Sequence, residues 1–438
     1  MENDKEAMNR IMQVVPALRM IFSDKKYRTL RVLNSELARL FSDDASNQAV
    51  LLNMKGIGDE LQLPRRYLFL NHDNLDDLLE VVKREYNSSF ILPCMLLIKG
   101  IGAIMVGDDA SDCYATMNMF QDRFIEAYKI LSKEKNISID EQLLKKLEIP
   151  SFNTTYNDEA IKNSVSYNKT IIVTGAAQGF GEGIARNLIL KGANIVVADL
   201  NEEVGKKTVE QFNSLTKNNR AIFVKTDVSD MDSITNMVQT AVVEFGGIDT
   251  FISNAGVLRA GGLDDMSPQD FDFVTKINYN AYFYCTKIVS KVMKLQTKYA
   301  HKDYYADIIQ INSKSGLRGS KANFAYAGGK FGGIGLTQSF ALELAPHRIK
   351  VNSICPGNYY EGPLWSDPEN GLFTQYLKAG KVPGAKTVEE VKAFYLAQVP
   401  MNKGCTPEDV VKAVLYLMDQ CGETGQALPI TGGQVMMS

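Results

Sequence analysis

The chain of 438 residues is long for one ordinary domain and long enough for two. Hydrophobic residues make up 45% and charged residues 23%, the balance of a globular chain. The net charge of −3 points away from nucleic acid or an anionic membrane surface as a partner. The opening MENDKEAMNR has no apolar core of a secretory leader. No apolar run approaches the roughly 20 residues that cross a bilayer, and the ending QVMMS carries no lipidation signal, so a cytoplasmic location is expected. Cys94, Cys113, Cys285, Cys355, Cys405 and Cys421 form no CxxC pair and are expected as reduced thiols. The three histidines, His72, His301 and His347, are widely separated; each is expected on the surface or in a loop, and no metal site is expected.

Residues 1–150 read as a small α+β domain, with helices around one short β-hairpin. Leu75, Leu78, Leu79 and Val82 recur at helical spacing, so DNLDDLLEVVKREY is an amphipathic helix. CMLLIKGIGAIMVGDD follows as two apolar runs about a Gly-Ile-Gly turn, and a second long helix is expected from Ala110 to Ser132. Polar, Asn- and Ser-rich residues 151–168 read as a linker. From 169 to 438 the pattern changes. TIIVTG, NIVVADL, AIFVKTDV, TFISNAG, DIIQINS and IKVNSICPG are short, nearly continuous apolar runs separated by helical stretches. That alternation indicates a doubly wound α/β fold, with a parallel sheet covered on both faces.

Gly175, Gly179 and Gly181 follow the first of these strands and open a helix, with Gln178 and Phe180 between them. Glycines there allow a tight turn and let a pyrophosphate reach the helix N-terminus, where free N–H groups point at it. Asp199 ends the next strand, 18 residues after Gly181. A carboxylate at that point accepts hydrogen bonds from an adenosine ribose and repels a 2′-phosphate. Neither Gln178 nor Leu200 offers a cation to such a phosphate, which favours NAD over NADP; the competing reading of Asp199 is a helix cap. Asp227 and Val228 are placed to hold the adenine, and Asn254, Ala255 and Gly256 form a small-residue strand end that can lie flat against a cofactor. Further on, Tyr326 lies thirteen residues after Ser313, and Lys330 one helical turn after Tyr326. An ammonium beside a phenol favours the phenolate, which a tyrosine of ordinary pKa ~10 needs in order to act as a base near neutrality.

TGAAQGFG, the Asn-Ala-Gly at 254–256, Asn278, Ser313, the Tyr-x3-Lys pair and Pro356-Gly357 together resemble the short-chain dehydrogenase/reductase family. The resemblance covers about residues 169–438. It implies a Rossmann-type fold, Tyr326 as general acid/base, Ser313 on the reacting oxygen, Lys330 on the nicotinamide ribose and Asn278 in a proton relay. Pro356 and Gly357 would then complete the cofactor site. IIQINSKSG, GCTPEDV and TGGQVMMS are similar to the sorbitol-6-phosphate 2-dehydrogenase branch, which implies NAD and the interconversion of sorbitol 6-phosphate and fructose 6-phosphate. Where the family has a threonine after the Pro-Gly turn, this chain reads GNYYEGPLW, leaving Asn358 as the residue to replace that contact. Residues 358–400 would form a substrate lid, and QTKYAHKDYYAD is expected as a surface excursion.

A sugar phosphate needs cations at the substrate end of the cleft. Lys314 adjoins Ser313, and Arg259, Arg318 and Lys321 lie on nearby loops; the last two read equally well as solvated charges. MLLIKGIGAIMVGDD is similar to part of the class II aldolase (adducin-like) fold, but an active member holds a metal with several histidines and His72 is alone in this half. A non-catalytic N-terminal half is therefore expected, and a homo-oligomer, dimer or tetramer, is expected of the whole. Three other readings remain: a dehydrogenase of another polyol or sugar phosphate or of an unphosphorylated sugar, a non-catalytic NAD-binding regulator, and a bifunctional aldolase–dehydrogenase. The complete Ser-Tyr-Lys set opposes the second, and the histidine count opposes the third.

Overall fold

The computed structural model describes residues 2–24, 26–53, 66–89, 92–145, 159–369, 371–378 and 380–436. Helix α1 (Glu2–Phe22) leads to β1 (Thr29–Leu33), α2 (Glu36–Ser42), α3 (Ala45–Asn53), β2 (Arg66–Leu70) and α4 (Leu75–Ser89). The hairpin β3 (Pro93–Ile98) and β4 (Gly102–Gly107) precedes α5 (Ala110–Glu134). Ser35 and Asp109 start α2 and α5 by accepting from backbone N–H groups in the first turn. As expected, α4 buries Leu78, Leu79 and Val82.

The expected lone hairpin is instead the centre of a four-stranded sheet, in the order β1-β4-β3-β2. Strand β1 escaped notice because TLRVL is buried on both faces but for Arg31, so it shows no alternation. Residues 151–158 of the expected linker fall outside the described residues. Its last part is packed, with Ser166 and Asn168 fully buried.

After α6 (Glu159–Lys162) come β5 (Thr170–Thr174), α7 (Gly179–Ile189), β6 (Asn194–Asp199), α8 (Glu202–Thr216), β7 (Ala221–Lys225), α9 (Met231–Phe245) and β8 (Thr250–Ser253). Then follow α10 (Pro268–Thr275), α11 (Ala281–Tyr299), β9 (Ala306–Ile311), α12 (Phe324–Leu344) and β10 (Ile349–Pro356). Helices α13 (Pro363–Ser366), α14 (Leu372–Lys378), α15 (Val388–Ala397) and α16 (Pro407–Asp419) lead to β11 (Ala427–Ile430). The seven strands are all parallel, in the order β11-β10-β9-β8-β5-β6-β7. The six apolar runs are β5 to β10. The seventh strand, ALPI, was not foreseen: it is a four-residue edge strand, half-buried throughout and carrying Pro429. Strand order reverses between β5 and β8, and in open sheets ligands bind beyond the strand ends at that point.

The two halves share one apolar core. Val15, Leu18 and Phe22 of α1 join Val242 and Phe245 of α9 and Val289 and Met293 of α11. At its centre the fully buried Arg19 donates to both Asp249 oxygens, at 3.0 and 2.6 Å, and to the Asn168 carbonyl at 3.2 Å. Asp249 also accepts from the Tyr304 hydroxyl at 2.9 Å and the Thr170 amide at 2.7 Å.

This corrects the surface excursion expected for QTKYAHKDYYAD. Lys298 and His301–Asp303 are exposed, but Gln296, Thr297 and Tyr304 are buried, and Gln296 bridges Tyr304 to the Ile248 amide. The polar composition that reads as solvated loop is here the hydrogen-bonding inventory of a buried joint. Asp249, Thr170 and Tyr304 all precede or begin strands, so this joint lies at the roots of β5, β8 and β9, whose other ends form the site described next.

Candidate active site

A cavity of about 830 Å³ opens at the C-terminal ends of β5, β6, β7, β8 and β9, large enough for most of a dinucleotide. Its floor is the loop between β5 and α7. Gly175 has φ 65°, and a Cβ there would press on Ala255. A Cβ on Gly181 would collide with the Gly175 carbonyl and the Asn254 amide, so this glycine serves close helix–strand packing. Gly179 has φ 67° and nothing within 4 Å of where a Cβ would stand, so its face is open to a ligand. Gln178 starts α7 without a side-chain cap, which leaves the helix N-terminus available to an anion. These features fit a pyrophosphate.

Gln178, Phe180, Asp227, Val228, Asn254, Ala255 and Gly256 line the same cavity. Asn254 fixes the floor by donating to the Thr174 and Gly175 carbonyls at 2.9 and 3.1 Å. Asp199 also lines the cavity, with its two oxygens accepting from the Ala177 and Asn201 amides at 3.0 and 2.9 Å. Both the ribose and the turn-building roles are open to it. Lys225 is its strand partner on β7 and is held by Glu202 at 3.4 Å, a neighbouring cation that reading along one strand does not reveal.

Tyr326 and Lys330, both on α12, line the opposite end of the cavity. The Lys330 ammonium stands 5.6 Å from the Tyr326 ring centre and donates to the Ile311 carbonyl at 2.9 Å. Burial pulls Lys330 down to about 8, with the neighbouring Cys355 acting the other way. Burial pushes the Tyr326 phenol up, against a hydrogen bond from Ser313 that pulls it down. In the protein alone the phenol is therefore not depressed, contrary to the expectation from Lys330: desolvation outweighs any help from the ammonium.

Ser313 leaves β9 and caps the short turn Lys314–Gly316 by accepting from the Ser315 amide at 3.1 Å. Asn278 sits in a π-helical turn between α10 and α11 and exchanges two bonds with Val257, at 2.7 and 2.9 Å. A Cβ on Gly256 would stand 3.1 Å from the Asn278 oxygen and 3.8 Å from the Lys330 ammonium, so that glycine keeps the two within reach of each other.

Asn312 was missed in the sequence. Buried behind Ser313, it accepts from the Ser313 amide at 2.8 Å and donates to the Lys330 carbonyl at 2.9 Å, clamping β9 to α12. Its place directly before the serine was the available signal. Cys355 was noted only as a thiol. It is fully buried against Ser313 and Lys330, and burial pushes it up to about 12.

The foreseen cations separate. Lys314 is mostly buried and donates to Gln434 Oε1 at 2.8 Å; burial pulls it down to about 8. Arg259 faces Asp270 at 3.8 Å and lies over the Phe273 ring, while Arg318 and Lys321 are exposed.

Gly357 packs against Thr431 at the end of the Pro356 strand. Asn358 donates to the Tyr360 hydroxyl at 3.0 Å, so its amide is turned into the following segment. That segment has its own apolar core of Tyr360, Trp365, Phe373, Val382, Val391 and Val399. Tyr359 stacks near Phe180 of the glycine loop, with ring centres 5.0 Å apart, and Pro363, Leu364 and Asp367 wall the cavity. Among the described residues no group of three or more His, Cys, Asp or Glu is placed to hold a metal ion, and no helix is long and apolar enough to cross a membrane.

Residues 169–365 match the short chain dehydrogenase family model. The sorbitol-6-phosphate 2-dehydrogenase of Escherichia coli is 32% identical over 272 residues, which is 61% of this chain and 99% of that one. The chain belongs to the short-chain dehydrogenase family. It is therefore an oxidoreductase on a Rossmann-type sheet, in a family that uses NAD or NADP. The 3-oxoacyl-[acyl-carrier-protein] reductase FabG of Chlamydia muridarum is 31% identical over 62% of this chain and 99% of its own. Among solved structures, sorbitol-6-phosphate 2-dehydrogenase SrlD from Erwinia amylovora superposes with a TM-score of 0.56 and 34% identity, over 61% of this chain and 100% of that one.

Proposed function

We propose that the protein is an NAD-dependent dehydrogenase interconverting sorbitol 6-phosphate and fructose 6-phosphate at C2. The observation that carries this reading is Lys314: a mostly buried ammonium one residue beyond Ser313, whose hydrogen-bond partner is the neutral amide of Gln434. Holding a cation out of water costs free energy that a dianionic substrate would return. Relatives of similar identity carry names with quite different substrates, so identity alone does not choose among them. Sorbitol 6-phosphate carries a dianion that such a cation would serve.

When bound, the nicotinamide would exchange hydride with C2 and, in its oxidised form, bring a positive charge beside the phenol. Tyr326 takes the C2 hydroxyl proton in oxidation and returns it in reduction. The Ser313 hydroxyl orients the same oxygen, and Lys330 holds the ribose and assists the phenol. Asn278 would hold a water of the proton relay, across Gly256 from Lys330. Asp199, with no cation at Gln178 or Leu200, supports NAD over NADP; Lys225 is turned to Glu202. Asn358, engaged with Tyr360, serves the lid, and Arg259, Arg318 and Lys321 serve at most as outer charges around the phosphate. We place the dehydrogenase unit at 169–438 and assign no catalytic role to residues 1–150.

The test is NADH oxidation with fructose 6-phosphate, fructose and other ketose phosphates. Fructose 6-phosphate is expected to give kcat/KM at least about 100-fold above fructose, the ~2.7 kcal/mol that one well-placed charge-assisted contact supplies. Equal use of the two sinks the phosphate reading. Turnover of none, with NADH still bound, favours a cofactor-binding regulator.

A further inference from the structure

The C-terminal turn Thr431–Val435 holds Gln434 against the ammonium of Lys314, the residue after Ser313. Gly432 and Gly433 both adopt positive φ, 62° and 85°. The Thr431 hydroxyl closes the turn by donating to the Val435 carbonyl at 3.0 Å and accepting from the Val435 amide at 3.2 Å. The turn is wedged between two parts of the site. Thr431 backs the Gly357 turn, while a Cβ on Gly432 or Gly433 would press on Val399 or Pro400 at the end of the lid. Gln434, at its tip, reaches the Lys314 ammonium with Oε1 at 2.8 Å.

That bond has a chemical consequence. A carboxamide accepts through oxygen and donates through nitrogen. With Oε1 committed to the ammonium, Nε2 and its two hydrogens must point away from Lys314, leaving two N–H donors of Gln434 near the two N–H groups of Lys314 that have no acceptor among the described residues. A neutral amide also holds the ammonium without cancelling its charge, as a carboxylate would. We propose that Gln434 is a specificity-determining residue, which fixes the Lys314 ammonium and donates from Nε2 to the phosphate of the substrate. This rests on the phosphate reading above and adds to it a residue from the opposite end of the unit. It also makes the end of the lid and the phosphate seat parts of one turn.

The experiment compares Gln434→Glu and Gln434→Met with the unsubstituted protein. It reads the ratio of kcat/KM for fructose 6-phosphate over fructose, with NADH affinity measured by fluorescence to show that the fold and cofactor site are intact. Gln434→Glu keeps the shape but puts an anion on Lys314 and in the path of the phosphate. The ratio is expected to fall at least about 100-fold in Gln434→Glu and about tenfold in Gln434→Met, mostly through KM for the phosphorylated ketose. A ratio that is high in the unsubstituted protein and stays high in both variants overturns the role of Gln434 while leaving the phosphate reading intact. A ratio near one before any substitution overturns both.

Discussion

Replacing Arg19 with methionine removes the cation from the joint between the two halves and leaves Asp249 buried with its charge. Breaking a buried pair from one side costs ~3–5 kcal/mol, because the remaining ion is uncompensated. Asp249 keeps the Tyr304 hydroxyl and the Thr170 amide, which places the cost at the lower end of that range. If the shared core makes 438 residues one cooperative unit, unfolding entropy of roughly 2.1 cal/mol/K per residue makes each kcal/mol worth about 1 °C, so Tm falls by roughly 3–4 °C in a single transition. The assay is scanning calorimetry. Adding Asp249→Asn removes the stranded charge but keeps an acceptor for Thr170, and about 1–3 kcal/mol should return. Two separate transitions, a shift under about 1 °C, or a double variant no better than the single one would refute the account of the joint.

Three further outcomes concern the site. Tyr326→Phe keeps the ring but loses the proton carrier, so kcat should drop by roughly 10²–10⁴-fold with NADH affinity retained; a smaller loss assigns the proton to another group. Lys314 titrates near 8 because burial lowers it, so its cation is complete below that pH and is lost above it. KM for a phosphorylated ketose should therefore climb as pH rises past about 8, and Lys314→Arg should push that limb upward; a KM flat to pH 10 would remove Lys314 from the phosphate. Asp199→Ser combined with Leu200→Arg should move the NADP/NAD affinity ratio by at least about tenfold toward NADP; no change would mean that Asp199 serves only the Ala177 and Asn201 amides.

The glycine loop and the Tyr-x3-Lys pair were legible because local geometry forces their spacing: a strand-to-helix turn in one case, one helical turn in the other. The same holds for six of the seven parallel strands, whose apolar runs are long enough to show. What stayed hidden depends on distance along the chain. Arg19 and Asp249 are 230 residues apart, and neither position announces a partner. Lys314 and Gln434 are 120 apart, so the lysine was visible as an oddity but its amide was not. Asn312 was in plain view and unrecognised, because its work is to tie Ser313 to Lys330 and nothing local requires that.

The surface excursion expected for residues 296–307 shows why composition fails at such joints. A loop rich in Gln, Tyr, Asp and His reads as solvated, yet a buried arginine needs polar company of that kind. Gln296 and Tyr304 supply it, and in doing so they give the dehydrogenase sheet a second surface at its strand roots. The chemistry stays at the strand ends, where Gly175, Asn254 and Ser313 terminate β5, β8 and β9. Because the same three strands carry the joint at one end and the site at the other, substitutions near Arg19 should act on stability, and those near Ser313 on turnover. On the proposed reading the N-terminal half serves the fold and is assigned no group in the reaction.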